Sequence, residues 1–157
     1  MHPAKRPLVV SACLAGRACR YDGGANPRDC VAEIVERGLC VLVCPEVLGG
    51  LGIPRTPCEI RGNRVMAKDG RDCTDAYRLG ASRALAMARD AGACVAVLKA
   101  RSPSCGVGRI YDGTFSHALV DGDGIFAGMA REAGLLLFTE EDFPGLDALE
   151  ERGLVGR

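Results

Sequence analysis

Three of the nine cysteines stand at or just beyond short apolar runs. Cys13 closes "VVSAC", Cys44 closes "VLVC", and Cys105 lies in "SPSCG", a few residues past "VAVL". As thiolates these side chains are nucleophiles and soft metal ligands. A catalytic-thiol phosphatase needs arginine six positions after its cysteine, where Cys19, Gly50 and Tyr111 stand instead. A radical-cluster motif fails as well, because Val47 follows Cys40 and Cys44 where a third cysteine is needed. A papain-like thiol needs histidine, and only His2 and His117 exist. His2 stands at the terminus; His117 could serve, though a lone loop histidine more often reads as a polar surface residue.

Metal binding is what remains. The cysteine count is odd and no Cys-x-x-Cys occurs, which removes a closed disulfide framework, thioredoxin-like motifs and zinc knuckles. Any metal ligands must therefore come from distant segments. Three thiolates with no fourth partner suit an iron–sulfur cube with one open iron, or zinc with one open position. Spacing alone ranks the cluster modestly above zinc. Two residues after Cys44 stands Glu46, a carboxylate beside the thiols. Around Cys105, serines and glycines make a loop whose backbone amides suit an anion. Lys99, Arg101 and Arg109 flank that loop, where they would balance an anionic group, bind substrate or simply charge the surface. Cys40, Cys94 and Cys30, inside apolar strands or a helix, read as small hydrophobes.

Four elements must position the thiols. Runs at 8–12, 40–43, 94–98 and 135–138 are short, apolar and rich in Val and Leu, as buried parallel strands are. Helical patterns lie between them at 29–37, from Thr74 to the glycine at 92, and up to Gly134, with a short tail helix after Pro144. Thr74 fits an N-cap and Gly92 a C′ glycine. Gly80, Ala81, Ala84 and Ala88 give the longest helix a small face for close packing on a sheet. Residues 59–67 read as a hairpin around Gly62-Asn63, and 108–116 as a shorter excursion. The alternation predicts an α/β fold: a three-layer α-β-α, Rossmann-like, mainly parallel sheet of about four strands in the order 2-1-3-4, with short hairpin excursions. One domain is expected over 1–157, since no linker-like stretch interrupts it. Ligands in such sheets bind beyond the carboxyl ends of the strands. Three neighbouring strand ends span roughly 10 Å, so the three thiols share one rim.

Composition narrows the partners. Lys+Arg and Asp+Glu are 20 each, so no net charge draws a polyanion. Aromatics are 4% and Trp is absent, which leaves few platforms for stacking nucleic-acid bases. The stretch "VVSACLAG" behind Lys5 and Arg6 has the look of a lipid-attachment signal, but its apolar core falls short of the roughly 7–15 residues required. No run approaches the roughly 18 residues of a membrane span. A cytoplasmic protein is expected, with neither a membrane nor nucleic acid as partner.

The segments "VSACLAG…RYDGG", "VCPEVLGGLGIPR", "AVLKARSPSCGVGRIYDGTF" and "GDG" resemble, in order over about residues 7–140, a bacterial family long described as a domain of unknown function. Its characterised members are thiouracil desulfidases. The resemblance implies an oxygen-sensitive [4Fe–4S] cluster held at the positions of Cys13, Cys44 and Cys105. It also implies an acid and a serine near the open iron, at Glu46 and Ser102. Ala15 and Cys58 depart from the usual pattern, away from those ligands. The expected reaction is hydrolytic desulfuration of a thiolated pyrimidine, 2-thiouracil to uracil and hydrogen sulfide. In it the open iron takes the substrate sulfur, Glu46 is the base on water, and Ser102 relays a proton. The partner is then a small thiolated nucleobase. The alternative is a non-catalytic metal-binding or redox-sensing protein with a three-cysteine zinc or iron–sulfur site.

Overall fold

The computed structural model describes residues 6–155. His2 lies outside them. The main sheet consists of β1 (Leu8–Ser11), β2 (Cys40–Val43), β5 (Val95–Leu98) and β8 (Leu136–Thr139). All its pairings are parallel, in the order β2-β1-β5-β8. Counting these strands along the chain, that is the expected order 2-1-3-4. Boundaries differ from the sequence reading by a residue at the strand ends.

Side-chain alternation along the central strands builds two cores. Leu8, Val10, Val95 and Val97 face one way, onto Val31 and Ile34 of α1 (Asp29–Glu36) and Leu146 and Leu149 of α5 (Leu146–Glu151). Val9, Ala96 and Leu98 face the other way, onto α3 (Thr74–Asp90) and α4 (Ile125–Glu132). The result is the three-layer α-β-α architecture. Because β1 and β5 are buried on both faces, their sequences are apolar, Ser11 excepted, rather than alternating.

Two hairpins stand apart from this sheet. In the first, β3 (Cys58–Arg61) and β4 (Arg64–Ala67) turn through Gly62-Asn63, as the sequence predicts. In the second, β6 (Arg109–Tyr111) pairs with β7 (Leu119–Asp121). It reaches further along the chain than the expected excursion, because all of β7 is exposed and carries no alternation to read.

Several local expectations are corrected. Thr74 is the first residue of α3 rather than its cap: Asp72 Oδ1 accepts the Thr74 N–H at 2.9 Å, and Thr74 Oγ1 accepts from Val65 N. Gly92 does take the left-handed conformation just past the helix, φ 71°. The segment after Cys44 is a one-turn helix, α2 (Pro45–Leu48). Ala81, Ala84 and Ala88 pack on the sheet, but Gly80 faces α2. A methyl group on Gly80 would lie 1.7 Å from Pro45 O, and one on Gly49 would lie 2.0 Å from Ala76 O. The two helices touch backbone to backbone, so α3 sets where α2, and with it Glu46, is held.

This crossing makes a stability prediction. Gly80→Ala must push α2 away, and overpacking of this kind costs about 1–3 kcal/mol. In a chain of this size that lowers Tm by about 3–10 °C. A methyl group on Gly128, in α4, would meet only Asp123 Cβ, at 3.9 Å. Gly128→Ala is therefore expected to hold Tm or raise it, through a gain in helix propensity of up to about 1 kcal/mol. Equal thermal melts for the two variants would contradict the close crossing.

Candidate active site

The carboxyl ends of β2, β1 and β5 are neighbours, and each releases one thiol. Cys13 sits in a single 3-10 turn (Ala12–Ala15) after β1. Cys44 joins β2 to α2. Cys105 lies in the loop after β5. The three line one cavity of about 480 Å³ together with Cys19, Glu46, Ser102 and Ser104. The sequence reading of a shared rim is thus met in space.

Backbone bonding fixes the loops that carry the thiols. Asn26 N donates to Cys13 O at 2.9 Å. In the Cys105 loop, Ser102 Oγ accepts from Ser104 N and Cys105 N, both at 3.1 Å, and Ser102 O accepts from Gly106 N at 2.8 Å. The first turn of α4 then grips the loop from outside. Ile125 N donates to Pro103 O and Phe126 N to Ser104 O, each at 2.9 Å. Buried backbone groups thus find partners, which a rigid loop requires.

The thiols differ in charge preference. Burial pushes Cys105 up to about 12, although the Ser11 and Ser104 hydroxyls work against it. Burial also raises Cys13, opposed by Asn26 and Lys99. Cys44 is lowered to about 7, first by a hydrogen bond from the Cys19 thiol and also by Val47, against burial. Cys19 moves up in exchange, first through its interaction with Cys44 and then through burial. Cys13 and Cys105 therefore stay neutral unless a cation balances them, and metal binding would release their protons. Their separation also matters. One zinc ion holds its sulfurs about 3.8 Å apart, from Zn–S bonds of about 2.3 Å in a tetrahedron. Among the described residues no three His, Cys, Asp or Glu side chains stand close enough to hold a single ion. Three soft thiols lining one cavity suit a multi-iron cluster.

Glu46 stands where the sequence puts it, beside the thiols, with its side chain 13% exposed. Its Oε1 accepts from Arg55 Nε at 3.1 Å and from Tyr77 OH at 2.9 Å. Its Oε2 accepts from Ser104 Oγ at 2.9 Å. Ser104 Oγ in turn lies 3.0 Å from Ser102 Oγ. Burial, then the Glu46 charge, drives Tyr77 upward, so its phenol stays protonated and donates. Arg55 also donates to Cys19 O at 2.9 Å, tying the segment after α2 to the first thiol loop.

Ser104, Arg55 and Tyr77 escape the sequence reading. Arg55 and Ser104 lie inside the quoted motifs "VLGGLGIPR" and "SPSCG", so a signal for them exists. Nothing marks Tyr77, which is simply an aromatic residue on a helix. The flanking bases divide. Lys99 lines the cavity and pairs with the buried Glu140 at 3.0 Å, and Arg101 lines it while pairing with Glu141. Arg109 pairs with Asp121 on the exposed hairpin and is absent from the cavity wall. Cys58 lines the cavity, and it and Cys73 pack with Tyr77. Cys94 donates to Leu154 O at 3.2 Å, away from the cavity. No helix among the described residues is long and apolar enough to cross a membrane.

Comparison with known proteins agrees with this geometry. The YbbK protein of Bacillus subtilis (strain 168), described as uncharacterized, is 37% identical over 145 residues, covering 86% of this chain and 96% of its own. A solved structure described as a [4Fe-4S]-dependent thiouracil desulfidase, TudS, superposes with a TM-score of 0.89 at 37% identity, over 94% of this chain and 99% of that one. A family model described as 2-thiouracil desulfurase matches residues 8–142, from the first strand of the sheet to beyond the last. The chain belongs to the 2-thiouracil desulfurase family.

Proposed function

We propose that this protein removes sulfur from a small thiolated nucleobase, converting 2-thiouracil and water to uracil and hydrogen sulfide. In this reading Cys13, Cys44 and Cys105 hold a [4Fe–4S] cluster. The observation that carries it is the convergence of three thiols from separate segments on a cavity that also contains the Glu46 carboxylate. The description of the solved relative as [4Fe-4S]-dependent supports the cofactor.

Bound there, the cluster supplies a soft Lewis acid for the thiocarbonyl sulfur, which draws electrons from the adjacent carbon. Glu46 is the general base on water. Arg55 and Tyr77 occupy Oε1, so Oε2 is the oxygen that takes the proton. As the carbon–oxygen bond forms and the carbon–sulfur bond breaks, the two protons of water end on the departing sulfur. Ser104, hydrogen-bonded to Oε2, carries a proton away from the carboxyl group, and Ser102 continues the relay. No electrons are gained or lost overall.

The test is anaerobic reconstitution with iron and sulfide, followed by assay of sulfide release from 2-thiouracil. Cys13→Ser, Cys44→Ser and Cys105→Ser should each lose the brown cluster colour, whereas Cys94→Ser keeps it. Full colour in all three variants would refute the ligand assignment. A protein that holds its cluster but releases no sulfide would favour the non-catalytic metal-binding reading.

Removing the base should separate chemistry from assembly. Glu46→Gln is expected to keep the colour and lose turnover by about 10²-fold or more, in line with general-base contributions. Ser104→Ala should lose part of its turnover, and Ser102→Ala no more than Ser104→Ala. Full activity in Glu46→Gln would remove the assigned base, and full activity in both serine variants would remove the relay.

A further inference from the structure

The cavity that holds the sulfurs also has an aromatic lining. The chain contains only three Tyr and four Phe. Tyr21, Tyr111 and Phe115 are drawn to the cavity, and His117 joins them. Tyr111 and His117 meet edge to face, with centroids 6.0 Å apart and planes at 81°. Phe115 and His117 hold positive φ angles of 57° and 62°, a conformation that non-glycine residues rarely adopt without support.

That support comes from the other hairpin. Glu59 Oε1, on β3, accepts two backbone N–H groups of the β6–β7 loop, Gly113 N and Phe115 N, each at 3.1 Å. Arg61 Nη2 donates to Gly113 O at 2.8 Å. Gly113 passes so near β3 that a side chain there would lie 2.9 Å from Ile60 O. Neither hairpin pairs with the main sheet, yet each fixes the other.

We propose that Phe115, with Tyr111 and His117, is the platform on which the flat ring of the substrate base lies, and that Glu59 is the residue that positions it. This deepens the desulfidase reading and rests on it for the identity of the ring. Stacking needs only a π-face, so the platform selects planar heteroaromatic thiocarbonyl compounds as a class, while the sulfur end is read at the thiol rim. Tyr111, Phe115 and His117 come from one hairpin, a platform for one ring at a time. The two hairpins that interrupt the α/β alternation thereby acquire a role.

The experiment is calorimetric binding of 2-thiouracil and of uracil to the reconstituted holoprotein, run beside the sulfide assay. Phe115→Ala should weaken the binding of both ligands by about tenfold or more, the usual effect of losing one base–aromatic contact. Its cluster colour should be retained, and Phe115→Trp should restore binding. Glu59→Ala should follow Phe115→Ala, and Glu59→Gln, which keeps an acceptor oxygen, should recover part of the affinity. Unchanged binding in Phe115→Ala overturns the platform. Weakened binding in Phe115→Ala with no recovery in Phe115→Trp overturns it too, since the defect is then structural. Ligand binding without sulfide release in the parent protein, weakened by Phe115→Ala, upholds the platform while refuting desulfuration.

Discussion

The structure depends on one geometric constraint: parallel strands that lie side by side end at the same edge of the sheet. β1 pairs with β2 from Leu8↔Cys40 to Ser11↔Val43, and with β5 from Leu8↔Val95 to Val10↔Val97. The chain leaves each of these strands within a few residues of a cysteine. Segments remote in sequence are thereby delivered to one place by hydrophobic burial on both faces of the sheet, with no disulfide among the nine cysteines. The cost of holding polar loops at that rim is met locally. Ser102 and the first turn of α4 satisfy the Cys105 loop, and the Cys19 and Asn26 side chains offer hydrogen bonds to thiols that burial would otherwise keep neutral.

A second layer of support orients the carboxylate. Glu46 lies on a helix of one turn, too short to be stable alone. Its place is set by the backbone contact of α2 with α3 and by Tyr77, which reaches from α3 to the carboxylate itself. Arg55, whose side chain is only 8% exposed, supplies the compensating charge that a buried carboxylate requires. The chain thus commits its longest helix, the clearest helical pattern in the sequence, to holding a single acid next to the sulfurs.

What is legible in the sequence follows from this. The four sheet strands are continuous apolar runs, so composition and length reveal them, and their final residues point to Cys13 and Cys44 at once. Cys105 requires the further step of reading a Ser/Gly loop as part of a site. The helix α2 is hidden because four residues cannot display a period. Ser104 and Ser102 are indistinguishable as letters, and only the fold shows that Ser104 is the one hydrogen-bonded to Glu46. Tyr77 is hidden because its partner is distant in sequence. Composition counts the aromatics as scarce but says nothing about their position; three of the seven, Tyr21, Tyr111 and Phe115, line the cavity. The β6–β7 hairpin looks short in the sequence because its outer strand is exposed along its whole length and leaves no hydrophobic pattern.

The central claim is that three sulfurs grip one inorganic cofactor with a metal corner left to the substrate. Anomalous diffraction at the iron edge from crystals of the anaerobically reconstituted protein tests it most directly. The account predicts one compact group of four iron atoms in the cavity, three of them bonded to the sulfurs of Cys13, Cys44 and Cys105 and one bonded to no protein sulfur. A single metal peak, a fourth cysteine on the last iron, or iron gathered at Cys30, Cys40 or Cys94 would contradict it.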